Sequence, residues 1–321
     1  MTTVAITDWT FPSLDIEQGL LDAAGCQLSS NQCGSEPELI ALVRDADAVI
    51  TQFAPITAEV ISAMARAKVI VRYGIGVDNV DLDAAAKRDI PVCNIPDYCI
   101  DEVADHTLAF ILSATRQLLA NCLHIRTGNW GLATGVDDMK TLRDLTVGCV
   151  GFGRIGREVL ERLAAFKCTR LVHDPHMDGA AIREAGCTPV ALDQLLAKSD
   201  IVTLHCPSTP ETRYLLDQTT MSHLKPGVII INLARGDLIH TDALVEALES
   251  GQVAAAAVDV CDPEPIPEDS PLRSLPNVLA TSHIASASRK AVTALRETAT
   301  RIAIAAVHGD TVPNIVNGVS P

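Results

Sequence analysis

Residues 147–150 form a short apolar run, Val147-Gly148-Cys149-Val150. They lead straight into Gly151-Phe152-Gly153-Arg154-Ile155-Gly156, after which residues 157–165 carry helical periodicity. A G-x-G-x-x-G turn constrains a chain strongly only when a strand precedes it and a helix follows, and both flanks are present here. In that setting Gly151 permits the tight turn, Gly153 lets backbone approach a pyrophosphate, and Gly156 allows close helix–strand packing. The start of the helix offers free amide donors and a positive dipole end to an anion. Asp174 stands 23 residues after Gly151, at the end of the next run, Leu171-Val172-His173. An acid there accepts hydrogen bonds from both ribose hydroxyls of an adenosine and repels a 2′-phosphate. Pro175-His176-Met177 supply no arginine to reverse that preference, so NAD is expected rather than NADP. A glycine-rich turn beside an ordinary surface aspartate is the alternative, and the spacing and both flanks weigh against it.

The same alternation runs along the chain. Apolar runs at 4–7, 47–50, 68–71 and 90–93 are separated by helical stretches at 15–24, 57–65 and 81–88, the second with a Thr57 N-cap signal. A long Ala- and Leu-rich segment, 101–119, reads as one connecting helix. A second series follows, with runs at 147–150, 171–172, 201–204, 228–231, 254–258 and 278–279 and helices at 154–165, 192–198 and 241–249. A last helix is expected over 290–307. Strands alternating with helices imply parallel sheets, and two such series in 321 residues imply two doubly wound α/β domains.

Composition excludes other classes. The hydrophobic fraction is 48% and the charged fraction 20%, which is globular rather than disordered. Aromatics are only 3%, so the core is aliphatic. The net charge of −15 disfavours direct nucleic-acid binding. No apolar run approaches the roughly 20 residues of a membrane helix, so no membrane partner is expected. The N-terminus lacks a basic region and a cleavage site, so no signal peptide is expected. Ten cysteines without a C-x-x-C pair read as reduced thiols in a cytoplasmic protein.

Three further features sit at the ends of later strand runs, on the rim where open α/β sheets bind ligands. They are Asn232-Leu233-Ala234-Arg235-Gly236, Asp259-Val260-Cys261-Asp262-Pro263-Glu264-Pro265, and Ser282-His283. These residue types suit hydride transfer to a 2-oxo acid. An imidazolium at His283 would give the carbonyl oxygen its proton. Glu264 would fix the ring tautomer and stabilise its charged form. Arg235 would grip the substrate carboxylate in a bidentate fork. Each also has a plainer reading: a satisfied histidine, a surface ion pair, and an exposed loop glutamate between two prolines.

With these motifs and Gly74-Ile75-Gly76-Val77-Asp78-Asn79-Val80-Asp81, the chain resembles the D-isomer-specific 2-hydroxyacid dehydrogenase family over nearly its whole length. The Arg-Glu-His order is that family's catalytic set, so the resemblance implies Arg235 as substrate ligand, His283 as acid/base and Glu264 as its partner. It implies cofactor contacts at Thr107, Arg154, Ile155, Asp174, Cys206, Leu233, Ala234 and Asp259. It also implies a substrate loop at Ile75, Gly76 and Val77. The architecture implied is a Rossmann NAD-binding domain, residues 102–289, inserted into a flavodoxin-like substrate domain made of 1–101 and 290–321. A cleft would lie between them, and the protein would be a homodimer.

Arg72 before the glycine pair, with Val92-Cys93-Asn94-Ile95-Pro96, is similar to the phosphoglycerate dehydrogenase and C-terminal-binding protein subgroup, which makes Arg72 a second anion contact. Tyr98 is a pocket candidate. Where that subgroup has an aromatic nearby, Ile284-Ala285-Ser286-Ala287 are small or aliphatic, which argues against an aromatic or thioether 2-oxo acid. The second function this subgroup implies is an NAD(H)-sensing, corepressor-like scaffold. Formate dehydrogenase relatives are a third reading, against which Glu264 counts. Trp130 is assigned to structure or a dimer contact, and His106 and His205 to buried or capping roles. Cys168, His173, His176 and Cys187 follow no closed-site zinc spacing, so no metal is expected.

Overall fold

The structure is a computed structural model that describes residues 2–319. The chain divides into two compact units. Residues up to Cys99 and from Ala287 onward make the first, and Ile100–Ser286 make the second.

The first unit alternates β1 (Thr3–Ile6), α1 (Asp15–Ala23), β2 (Gln27–Ser30), α2 (Glu36–Val43), β3 (Ala48–Thr51), α3 (Ala58–Ala63), β4 (Ile70–Arg72), α4 (Leu82–Ala86) and β5 (Val92–Cys93). The strands pair in the parallel order β2-β1-β3-β4-β5, a flavodoxin-like arrangement. All four residues of β3 are buried, as a strand covered by helices on both faces requires. Helix starts follow the expected chemistry: the Thr57 hydroxyl accepts from the Val60 amide, and the Asp81 carboxylate from the Ala84 amide. The C-terminal helix, Arg289–His308, packs its apolar face into the core with Val4, Ile6, Leu21 and Val71. There Arg296 clamps the fully buried Glu17 with two hydrogen bonds, of 2.8 and 2.5 Å, and the Tyr73 hydroxyl donates to the same carboxylate at 3.0 Å.

The second unit runs α5 (Ile100–Thr115), α6 (Leu118–Arg126), β6 (Thr146–Val150), α7 (Arg154–Ala164), β7 (Thr169–His173), α8 (Gly179–Glu184), β8 (Thr188–Pro189), α9 (Leu192–Lys198), β9 (Ile201–Leu204), α10 (Gln218–Ser222), β10 (Val228–Asn232), α11 (Thr241–Ser250), β11 (Val253–Val258) and β12 (Val278–Ala280). The seven parallel strands lie in the order β12-β11-β10-β9-β6-β7-β8. The chain reverses direction across the sheet between β6 and β9, which is where such folds open a ligand crevice. A cluster including Leu195, Val202, Leu204, Val228, Ile230 and Leu244 forms the core behind it.

Three expectations need correction. The first sheet has five strands rather than four, because the half-exposed edge strand β2 (Gln-Leu-Ser-Ser) shows no apolar run. The second has seven rather than six, because β8 is only two residues long. The single helix expected over 101–119 breaks into α5 and α6 at a 65° bend. Gln117 takes a left-handed backbone (φ 51°) there, and its side-chain amide donates to the Ala114 carbonyl. Among the described residues no single helix is long and apolar enough to cross a membrane.

Candidate active site

The glycine loop leaves β6 at the crevice. Gly151 sits at φ +100°, and a Cβ there would lie 2.6 Å from both the carbonyl carbon and the carbonyl oxygen of His205. Glycine is therefore required by conformation and by space. A Cβ on Gly156 would lie 2.4 Å from the Gly151 carbonyl oxygen, so α7 packs directly on the turn. Gly153 is different: beyond its own chain neighbours, nothing lies within 4 Å of its would-be Cβ. The space a side chain would fill is an open cradle beside the first turn of α7, where Arg154 and Ile155 begin the helix. Asp174, just past β7, accepts from the Phe152 amide at 2.7 Å and the His176 amide at 2.9 Å, which ties the loop to the neighbouring strand end. Its carboxylate oxygens keep further lone pairs for a ribose. Open cradle, helix start and acid together fit the dinucleotide that the motif implies.

Cys206 and His205 flank the same turn. Burial pushes the Cys206 thiol up to about 11, leaving it protonated and inert at neutral pH. Burial pulls the His205 imidazole down to about 4, so it is neutral there and contacts the Thr203 hydroxyl at 2.8 Å. Leu233 and Ala234 follow β10, Leu233 buried and Ala234 partly so. Thr107, on α5, is fully buried, and its hydroxyl donates to the Val103 carbonyl of its own helix at 2.7 Å.

The second cluster is built on the ends of β10, β11 and β12. His283 Nδ1 lies 2.7 Å from Glu264 Oε1, with both side chains partly open to solvent (31% and 40%). His283 adopts a left-handed backbone (φ 56°), a region that non-glycine residues rarely occupy and that collects at functional sites. Asp259 holds it there. The His283 amide donates to the Asp259 carbonyl at 2.8 Å. The buried Asp259 carboxylate accepts from the Thr281 hydroxyl (2.5 Å), the Ile284 amide (2.9 Å) and the Ala285 amide (2.8 Å).

Arg235 stands on the turn after β10. That turn is fastened by buried Asn232, whose amide donates to the Arg235 carbonyl (2.7 Å) and accepts from the Ala234 amide (3.0 Å). Arg235 Nη1 donates to the Ala234 carbonyl at 2.7 Å. The next residue, Gly236, lies so close to the Glu264 turn that a Cβ would be 2.0 Å from the Cys261 oxygen. Absence of a side chain is what lets the arginine turn and the glutamate turn touch.

The remaining candidates belong to the first unit. Arg72 ends β4, with its guanidinium 5.7 Å from the Phe53 ring centroid and folded over Gly74. Beyond Gly74, the Ile75 carbonyl accepts from the Asn94 side chain at 2.6 Å, which fixes the start of the Ile75-Gly76-Val77 segment. All three of those residues are partly exposed, and Tyr98 packs against the apolar core of the first unit. Cys168 and Cys187 are buried free thiols, and among the described residues no group of three or more His, Cys, Asp or Glu could hold a metal.

Reading the sequence assigned no role of their own to Asn232, Thr281, Thr241 and Asp262, whose polar atoms hold the turns, and it named Asp259 only as a cofactor contact. The one available signal was Asn232, a polar residue ending an aliphatic run.

Comparison with known proteins identifies the relatives of this chain. The family model for the D-isomer specific 2-hydroxyacid dehydrogenase, NAD binding domain, matches residues 108–285. The D-3-phosphoglycerate dehydrogenase of Mycobacterium tuberculosis is 40% identical over 287 residues, covering 87% of this chain and 53% of that protein. The chain thus spans about half the length of that relative. The glyoxylate reductase of Thermofilum pendens is 37% identical over 301 residues, 88% of this chain and 85% of that one. The structure of D-lactate dehydrogenase from Aquifex aeolicus, complexed with NAD and lactic acid, superposes with a TM-score of 0.88 at 29% identity, over 99% of each chain. A nucleotide loop, a supported His–Glu pair and these matches lead to one assignment: the chain belongs to the D-isomer specific 2-hydroxyacid dehydrogenase family and carries its NAD binding domain.

Proposed function

We propose that the protein is an NAD-dependent oxidoreductase that interconverts a D-2-hydroxy acid and its 2-oxo acid. The observation that carries this reading is the 2.7 Å contact between His283 Nδ1 and Glu264 Oε1, held beside the Arg235 turn. When bound, the nicotinamide supplies or accepts the hydride. The carboxylate of Glu264 accepts from Nδ1–H, which leaves Nε2 as the nitrogen that faces substrate. In the reducing direction the imidazolium passes its Nε2 proton to the carbonyl oxygen, and the ring is left as the neutral Nδ1–H tautomer. In the oxidising direction Nε2 takes the hydroxyl proton back. Arg235 binds the substrate carboxylate through its planar fork of guanidinium donors. Asp174 and the glycine loop hold the dinucleotide.

The relatives' names favour a substrate of the glyoxylate, hydroxypyruvate or phosphoglycerate kind, and the small or aliphatic residues after His283 offer no aromatic ring for an aromatic or thioether 2-oxo acid. A homodimer is supported by α6, which buries none of its residues, and by the exposed apolar side chains of Trp130 (91%) and Val136 (71%). Ten thiols suit a reducing, cytoplasmic setting.

The test is NADH oxidation, followed at 340 nm, against a panel of 2-oxo acids, with His283→Ala as control. Turnover that falls about 10²–10⁴-fold in the variant, at unchanged NADH affinity, supports the assignment. Turnover on no member of the panel, with NADH-dependent capture of a protein partner, would return the scaffold reading.

A further inference from the structure

Glu264 is carried on an exposed turn, yet its carboxylate meets one ring nitrogen at hydrogen-bond distance. Something must hold that turn in register. Thr281 and the Asp259 carboxylate fasten the His283 side of the pair, and the Glu264 side needs a fastening of its own. We propose that Tyr214 is a positioning residue that latches the Glu264 turn through Asp262; this rests on the acid/base reading of Glu264 and His283.

Tyr214 lies on the segment after β9, with its backbone in the left-handed region (φ 49°). A bulky side chain rarely adopts that conformation unless its surroundings impose it. What imposes it is a pair of bonds to two different turns. The Tyr214 amide donates to the Asp237 carbonyl at 2.7 Å, two residues past Arg235. The Tyr214 hydroxyl donates to Asp262 Oδ2 at 3.0 Å, two residues before Glu264. One residue therefore bridges the arginine turn and the glutamate turn.

The bridge is itself supported. Arg213 Nη2 donates to the phenol oxygen at 3.2 Å, and its guanidinium lies 4.9 Å from the Tyr214 ring centroid. The His240 ring packs edge-on at 5.0 Å. The Ser208 hydroxyl donates to the Asp237 carboxylate at 2.7 Å, which steadies the other anchor. Asp262 is gripped on its second side by the Thr241 hydroxyl, which donates to its carbonyl. With the Asp262 backbone pinned by Thr241 and its side chain pinned by Tyr214, the path of the next two residues is set, and Glu264 is delivered to the ring.

A group that acts only through Glu264 has a distinctive signature. Removing it should lower kcat rather than weaken binding, and should matter only while Glu264 is present. The experiment uses the full chain with NADH saturating and the best 2-oxo acid of the panel. Tyr214→Phe deletes one oxygen and keeps the ring. It should lower kcat roughly tenfold, with KM and NADH affinity within about twofold. Asp262→Ala should do the same, Asp262→Asn should stay near the parent because its amide oxygen still accepts, and the Tyr214→Phe/Asp262→Ala pair should be no worse than either alone. In a Glu264→Ala background, Tyr214→Phe should add less than about a twofold change. A Tyr214→Phe enzyme with parental kcat overturns the latch and leaves the acid/base reading intact. An undiminished tenfold loss in the Glu264→Ala background overturns it too, since the tyrosine would then act elsewhere. A parent that turns over no 2-oxo acid overturns both readings together.

Discussion

Gly236→Ala is the smallest change that separates the two turns of the candidate site, and its effect can be worked out from the packing. The added methyl would lie 2.0 Å from the Cys261 oxygen, 2.1 Å from the Cys261 carbonyl carbon and 2.8 Å from the Asp262 nitrogen. All three neighbours are backbone atoms, so no side chain can swing aside. Restoring an ordinary contact near 3.4 Å to that oxygen requires the turns to part by about 1.4 Å. The strain of overpacking is about 1–3 kcal/mol, less than the stability of a typical domain, so the chain should still fold. The chemistry is less tolerant, because a misplacement of about 1 Å at a reacting centre costs on the order of 10²-fold in rate. We expect kcat/KM for reduction of the best 2-oxo acid to fall about 100-fold, measured by absorbance at 340 nm. NADH affinity, read by fluorescence, should fall less than kcat/KM, since the glycine loop and Asp174 lie on other strand ends and only the contacts at Leu233, Ala234 and Asp259 lie beside the parted turns. A Gly236→Ala enzyme that folds and keeps kcat/KM within about threefold would refute the claim that close approach of these turns sets the catalytic geometry.

Other perturbations read different parts of the structure. Gly153→Ala meets nothing beyond its own chain neighbours, so thermal stability should not change, while the new methyl fills the cradle and weakens NADH binding by at least about tenfold; unchanged affinity in a fluorescence titration would remove the phosphate site from this loop. His205 has a folded value of about 4, below the roughly 6.5 of an unfolded histidine, so the unfolded chain binds the extra proton between those values. The residue is therefore neutral to stability above about pH 6.5 and withdraws up to about 3 kcal/mol as pH falls towards 4, a slope that urea titrations should show and His205→Gln should flatten. Glu17→Gln leaves Arg296 buried without its counter-charge and should cost about 3–5 kcal/mol of unfolding free energy; a loss below about 1 kcal/mol would mean that water reaches the guanidinium.

How far the sequence could be read follows from what is local. Strands buried on both faces, such as β9 and β10, announce themselves as aliphatic runs, and the ends of those runs mark the rim where Asp174, Arg235 and His283 sit. Glu264 became legible through its place after β11. Edge strands such as β2 and β8 gave no signal, because half-exposed or two-residue strands need no apolar pattern. The break at Gln117 was equally silent, since it depends on one left-handed residue that is neither glycine nor proline. The supports of the site were hidden for another reason. Asn232 fastens its own turn, but Tyr214 reaches Asp262, which is 48 residues away in sequence. No spacing rule links the two, because the link exists only once β9 and β11 have been brought to the same edge of the sheet.

Two carboxylates on one turn show how position divides the work. Asp259 and Glu264 are five residues apart, and either type could face an imidazole. Asp259 is the first residue past β11, still sunk in the sheet, and a carboxylate buried there must be satisfied by donors from the protein. It finds three in the His283 turn, so its charge is spent on shaping the backbone that presents the ring. Glu264 has left the sheet and is partly solvated, so it is not committed to backbone donors and can answer to the protonation state of His283. Exchanging the lengths of the two side chains tests this division. Asp259→Glu adds a methylene at a buried side chain fixed by three donors, and should disturb stability and catalysis together. Glu264→Asp withdraws the carboxylate by about one methylene from the ring and should lower kcat with little change in unfolding free energy. If the two variants lost stability equally, the distinction between a carboxylate that builds the turn and one that serves the ring would fail.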